Sequence, residues 1–395
     1  MSRILSKRAN ELKPSATLAI SAKEKELKSQ GLDVVGFGAG EPDFTTPSHI
    51  RDAAKKSLDR GETFYTPVGG IVDLKKAVVS RLAQDYGLEY KPSEIVISCG
   101  AKHSLYNIFQ AVVDPDDEVI VFAPYWVSYP EMVALAGGAA VIVPSSEGNR
   151  FIPEISELEK RVTEKTKAIL LNSPSNPTGV VYPLEVLENI ASVADKHDLI
   201  VISDEIYDKL LYDGNTFVPF ASLPGMKDRT IMVNGVSKTY AMTGLRIGYL
   251  ASTNSALVKA ATDIQSQSTS NPNNTAQAAA VEALNGPQDE VGRMREIFQH
   301  RRDLMLRGID EIPGLSAVKP DGAFYVFVNT SRFYGEYGIE NSTDFSKYLL
   351  ERHYLACVPG GPFGSEDHIR LSFATSEETI LKGLGRLRKA CEELA

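Results

Sequence analysis

The sequence predicts an α/β protein: a large unit built on a mostly parallel sheet covered by helices, joined to a smaller α+β unit. Three observations predict it. Short runs in the middle of the chain are continuously apolar rather than alternating, as in strands buried on both faces. These runs alternate with helical patterns, which implies parallel strands joined by right-handed crossovers. After Gly314 the pattern changes to strand-like runs flanked by helices, the mark of an α+β unit.

The elements follow in order. An N-terminal helical pattern ends at Gly31 and is too short to fold alone, so the first ~45 residues are expected to join the smaller unit. Strands are expected over 94–98, 118–122, 139–143, 167–171, 199–203, 230–233 and 246–251, because each is a short, mainly apolar run and most are rich in β-branched residues. Helices are expected over 101–113 and near 184–197. Longer helical patterns cover 255–284 and 289–310, and Asn271-Pro272-Asn273-Asn274 interrupts the first. Beyond Gly314, strands are expected at 322–328 and 368–373, with helices at 342–352 and 377–393. The expected division is 1–45 with the small unit, 46–285 as the large unit and 286–395 as the small C-terminal unit.

Composition narrows the function. The 395 residues suit two or three domains, and 43% hydrophobic content is ordinary for a globular chain. A net charge of −9 argues against a nucleic-acid partner. The six histidines form no His-x-x-x-His pair. Cys99, Cys357 and Cys391 lie far apart, with neither zinc spacing nor a disulfide framework, which fits a reducing compartment. Met1 to Arg8 is charged and no long apolar stretch follows, unlike a signal peptide. No run approaches the ~20 apolar residues of a membrane span. The expected location is the cytoplasm.

The chemistry lies in two segments. Asp204-Glu205-Ile206-Tyr207 closes one apolar run, and the stretch from Ser237-Lys238 to Arg246 bridges two more. They offer a carboxylate, a phenol, a lysine and an arginine near successive strand ends, and pyridoxal phosphate needs all four. Lys238 is the amine that would condense with the aldehyde and later serve as base for the substrate α-proton. Asp204 would keep the ring nitrogen protonated; alone, it reads equally as a helix cap. Tyr207 would donate to the ring oxygen, and Asn176, in the loop Asn172-Ser173-Pro174-Ser175-Asn176-Pro177, could share that contact or be structural. Gly100-Ala101-Lys102 bares backbone N–H groups of Ala101 and Lys102 at a helix start, suited to phosphate, with Arg246 as its fixed charge. Trp126, the only tryptophan, is either a core residue or a plane stacked on the pyridine. Arg370 sits inside an apolar strand. It either points to water or grips an α-carboxylate through its planar fork.

These residues and their order resemble the class I aminotransferases of fold type I, the pyridoxal-phosphate-dependent transferases, and most the bacterial aspartate aminotransferases of subgroup Ib. The matching motifs are Ala39-Gly40-Glu41-Pro42-Asp43-Phe44, Tyr65-Thr66-Pro67, Pro124-Tyr125-Trp126, Asn176-Pro177-Thr178-Gly179, Asp204-Glu205-Ile206-Tyr207, the Lys238 segment and the Arg370 strand. The resemblance implies a homodimer with shared active sites, in which Tyr65 reaches the phosphate of the partner's cofactor. It implies that Gly40 meets the substrate α-carboxylate through its backbone, beside Arg370, Asn176 and Trp126. One departure stands out. Relatives often carry Ser-x-Ser-Lys, whereas this chain has Gly235-Val236-Ser237-Lys238, so phosphate binding rests more on Arg246, backbone amides and Ser237.

The expected reaction is a ping-pong transamination of amino acids and 2-oxo acids, moving the amino group of aspartate to 2-oxoglutarate. The resemblance assigns the distal carboxylate to Thr17 and Lys102; their plain readings are a helix cap and a solvated charge. Lys13 would add a cation for prephenate, an alternative substrate alongside aromatic amino acids. A β-lyase or decarboxylase using the same cofactor is a second alternative, and a non-catalytic ligand sensor a third.

Overall fold

The computed structural model describes residues 4–335 and 337–394. Met1, Ser2 and Arg3, the head of the segment read as no signal peptide, lie outside the described residues.

A seven-stranded sheet forms the centre. Its spatial order is Ile95–Ser98, Gly248–Ala251, Thr230–Gly235, Ile200–Asp204, Thr166–Asn172, Glu118–Phe122 and Ala139–Val143. Neighbours run parallel except Gly248–Ala251, which is antiparallel to both of its partners. The continuous apolar runs are explained by cover on both sides. Val119 and Val121 pack with Leu105, Phe109 and Val133 on one face. Ile120 and Phe122, pointing the other way, pack with Leu187, Ile190 and Ala194. Each such side chain, fully buried, stabilises the fold by roughly 1.5–3 kcal/mol against exposure.

Register sets the site. Asn172 pairs with Asp204, and Asp204 with Val233, so these strands end at one level. Lys238 follows the last residue of the Thr230–Gly235 strand by three positions. Polar side chains at the carboxyl ends of parallel strands therefore converge, as is usual in open α/β sheets.

The smaller sheet is antiparallel, in the order Val358–Pro359, His368–Ser372, Tyr325–Asn329, Ser316–Ala317. Helices Asp289–Asp310, Ser342–His353 and Glu377–Leu394 accompany it. Val35–Gly36 pairs in parallel with Leu355–Ala356, and the Phe37 amide donates to Ala356 at 2.7 Å.

Two expected strands begin two or three residues later than the sequence suggests. The run expected from 246 starts at Gly248, because Arg246 has φ of 56° and cannot lie in a strand. The run expected from 322 starts at Tyr325, because Ala323 has φ of 57°. The helix expected over 255–284 divides into Ser255–Ser268 and Asn274–Asn285, and Asn273 caps the second through the Ala276 amide. Ser48–Asp59, Val72–Tyr86 and Ser128–Ala136 are further helices that the sequence reading did not name. Among the described residues, no helix is long and apolar enough to cross a membrane, and no three His, Cys, Asp or Glu side chains cluster as metal ligands.

Candidate active site

The strand ends open onto a cavity of about 520 Å³ lined by residues from both sheets and from the helix Ala16–Ser29. Asp204, Tyr207, Lys238, Arg246, Arg370, Asn176, Trp126, Ser237, Ala101, Lys102, Gly40 and Thr17 all line it. The structure thus brings together twelve positions taken from distant parts of the sequence.

Asp204 is the last residue of its strand and 3% exposed. One carboxylate oxygen accepts the Tyr129 hydroxyl at 2.8 Å and the other the Ile206 amide at 3.3 Å. Burial raises its pKa to about 6, although these donors and the Lys238 charge act to lower it. The Lys238 ammonium donates to the Gly40 carbonyl at 2.6 Å. Desolvation draws the amine down to about 8, and Arg246 and Arg370 add to the effect, while Glu41 and Asp204 oppose it. An amine so placed is a better nucleophile and base near neutrality than an ordinary lysine.

Arg370 is 1% exposed. The pairing of its strand with Tyr325–Asn329 places it opposite Phe327, between the rings of Tyr325 and Phe363, 4.3 and 5.2 Å from their centroids. One guanidinium nitrogen donates to Asn176 Oδ1 at 3.0 Å, another to the Gly38 carbonyl at 3.1 Å, and Nε has no partner. Among the described residues no carboxylate pairs with it, which leaves a buried cation suited to an incoming anion. The Tyr207 hydroxyl lies 3.0 Å from that of Tyr325. The Lys102 ammonium sits 4.5 Å from the centre of the Trp126 ring, with its pKa lowered by desolvation and by Arg246.

The phosphate end is built from close backbone packing. Gly100 has φ of 89° and precedes the helix Ala101–Val112. A side chain there would fall on the Arg246 guanidinium. Arg246 donates to the Thr243 carbonyl at 2.8 Å and, among the described residues, has no acidic partner. The departure at Gly235 has a local cause: an added Cβ would meet Gly248 Cα and the Ile247 carbonyl, each at 2.9 Å. Residue 235 therefore has no space for a serine on this backbone.

Two expected residues lie elsewhere. Lys13 is exposed and outside the cavity lining; its backbone amide donates to Glu131 at 3.0 Å. Tyr65 is 89% exposed and borders a separate surface cavity with Phe64, Thr269 and Asn274. Thr17 is not a cap: the helix begins at Ala16 with Ser15 as N-cap, and the two hydroxyls lie 2.9 Å apart. The lining also contains residues that had no assigned role in the sequence reading, among them Tyr129, Tyr325, Asn172 and Glu41. Asn172 stood in a segment already singled out, and its amide donates to the Asp204 carbonyl at 3.0 Å. Nothing in local periodicity points to the two tyrosines.

A buried acid, a lowered amine, two unpaired cations and a helix start crowded against one of them fit pyridoxal phosphate in charge and polarity. Residues 32–387 match the family described as aminotransferase class I and II. The chain is 48% identical to the aspartate aminotransferase of Bacillus subtilis, covering 98% of this chain and 99% of that protein. It is 45% identical to the aspartate/prephenate aminotransferase of Thermus thermophilus, with 98% of each covered. Among solved structures it resembles the Thermus thermophilus aspartate aminotransferase with maleate, with TM-score 0.93, 44% identity, and 98% and 100% of the two chains covered. A Rhizobium meliloti aspartate aminotransferase gives TM-score 0.94 at 42% identity, with 98% of each covered. A full-length match of this kind, joined to a cavity with the cofactor's charge pattern, means that the chain belongs to the class I and II aminotransferases, enzymes that depend on pyridoxal phosphate.

Proposed function

We propose that this aminotransferase moves the amino group of aspartate to 2-oxoglutarate by a ping-pong mechanism. The observation that carries the proposal is that Lys238, Asp204 and Arg370 line one cavity with a further cation, Lys102. A dicarboxylate needs two separated cations, and Arg370 and Lys102 supply them. The names of the relatives point the same way.

When bound, pyridoxal phosphate supplies a carbonyl that takes up an amino group and a ring that withdraws electrons from the substrate Cα. The protein does the rest. Arg246, Ser237 and the amides at Ala101 and Lys102 would hold the phosphate end. Asp204 would balance positive charge at the ring nitrogen, Tyr207 and Asn176 would serve the ring oxygen, and Trp126 would shield the ring from water. Arg370, with Asn176 and the Gly40 backbone, fixes the α-carboxylate, and Thr17 and Lys102 fix the distal one. Lys238 removes the proton from Cα; orienting that bond is where binding energy becomes rate.

The proposal extends to assembly. Tyr65, exposed here, is assigned to the phosphate of a partner subunit, so two copies share two sites. Sedimentation of the purified enzyme should read a dimer; a stable, active monomer would remove this assignment. The division into 1–45 with 286–395, and 46–285, is supported by the pairing of Val35–Gly36 with Leu355–Ala356. A cytoplasmic location is supported by three free cysteines, two of them buried.

Lys102→Ala tests the substrate assignment. The kcat/KM for aspartate should fall about 10- to 100-fold, the loss of one charge-assisted contact, with little change for an aromatic donor. Equal losses for both donors would remove Lys102 from the distal carboxylate and weaken the aspartate reading. Prephenate is the alternative, carried beside aspartate in the names of several relatives but absent from those of three others of 46–48% identity. Lys13, placed outside the cavity, does not support it.

A further inference from the structure

We infer that Tyr129 is a positioning residue for the cofactor: its hydroxyl holds Asp204 as a carboxylate, and its ring edge sets the tilt of Trp126. The inference rests on the reading that Asp204 meets the ring nitrogen.

Tyr129 lies in the first turn of the helix Ser128–Ala136, and its amide donates to the Trp126 carbonyl at 3.0 Å. The residue is 2% exposed and packed among Leu105, Val121 and Leu170. A buried phenol needs a partner. Its partner is Asp204 Oδ2 at 2.8 Å, 75 residues away in sequence. The Tyr129 and Trp126 rings meet edge to face, 5.3 Å between centroids at 85°. One side chain therefore touches both the acid at the ring nitrogen and the plane over the ring. Helix and sheet fix it from opposite sides.

The chemical consequence has a definite sign. A donor to a carboxylate favours its charged form. Asp204 and the ring nitrogen compete for one proton, and the Tyr129 hydroxyl biases that competition towards the nitrogen. Burial acts against the carboxylate, and among the described residues its one hydrogen-bond donor apart from Tyr129 is the longer Ile206 amide. Without the hydroxyl the shared proton moves towards Asp204.

Tyr129→Phe keeps the ring and removes the donor. The holoenzyme is reconstituted with cofactor carrying nitrogen-15 in the ring, and the nitrogen chemical shift and the cofactor Kd are read. The expected result is a shift towards unprotonated pyridine and a Kd weakened about 10-fold. A monofluorinated tyrosine at position 129, a stronger donor of almost the same shape, should hold the nitrogen protonated to higher pH, and serves if Tyr129→Phe does not fold. In an Asp204→Asn background, Tyr129→Phe should add less than twofold to the Kd, because the hydroxyl acts through that acid. A folded Tyr129→Phe enzyme with unchanged nitrogen shift and Kd overturns the inference. If Asp204→Asn moves the nitrogen signal and Tyr129→Phe does not, the Asp204 reading stands and Tyr129 is merely structural. If Asp204→Asn moves nothing, the Asp204 reading fails and the inference fails with it.

Discussion

Asp204 is costly to the protein before any cofactor arrives. Its folded pKa of about 6 lies above the ordinary 3.8, so the protonated form favours folding. That contribution is present in full below about pH 4 and is lost as pH rises through about 6. Asp204→Asn should therefore stabilise the cofactor-free protein at pH 8 by up to about 3 kcal/mol, with almost no gain at pH 4. Denaturant unfolding at the two pH values checks this, and equal gains at both would contradict it. The same variant should bind cofactor poorly, so stability and function oppose each other at this residue. Legibility at this scale follows charge. Asp204, Lys238, Arg246 and Arg370 were readable because a charge beside an apolar run demands a partner. Tyr129 and Tyr325 were not, because a tyrosine among apolar residues looks like core until its hydroxyl's partner is known.

Strands explain why the acidic motif works as it does. Asp204 faces the cavity, while Glu205 turns away to accept the Ser203 hydroxyl at 2.8 Å and the Phe220 amide at 3.2 Å. Burial lifts Glu205 to about 8, so it stays largely protonated at neutral pH and leaves Asp204 as the charged member of the pair. The large sheet was legible because its runs are short, apolar and regularly spaced. Glu118–Phe122 and Ala139–Val143 fall where the sequence placed them. Helices Val72–Tyr86 and Ser128–Ala136 were hidden because half-buried helices mix polar and apolar positions without a sharp stripe. The start of the Gly248–Ala251 strand was misplaced because a left-handed arginine looks like any other residue in sequence. That backbone turn aims Arg246 at the helix start, where Gly100 makes room for its guanidinium, while Gly235 and Gly248 let the neighbouring backbones pack closely.

At the scale of the molecule, both sheets and the N-terminal helix contribute to one cavity, so no single segment carries the activity. Most of the residues named from the sequence line that cavity because their motifs sit at strand ends, and strand ends converge in this class of fold. The sequence placed Lys13 at the substrate, but that residue lies outside the cavity lining, and Tyr65, expected to reach a partner's cofactor, stands exposed at a separate surface cavity, since contacts between distant surfaces depend on packing and assembly. The central claim is that one amine, on Lys238, captures the cofactor and then works on the substrate. The most direct test is the visible absorbance of purified wild-type and Lys238→Ala proteins, each with and without aspartate. The wild type should show a band that moves to shorter wavelength when aspartate is added. Lys238→Ala should lack the lysine-linked band and repeated turnover. A variant that keeps both would contradict the account.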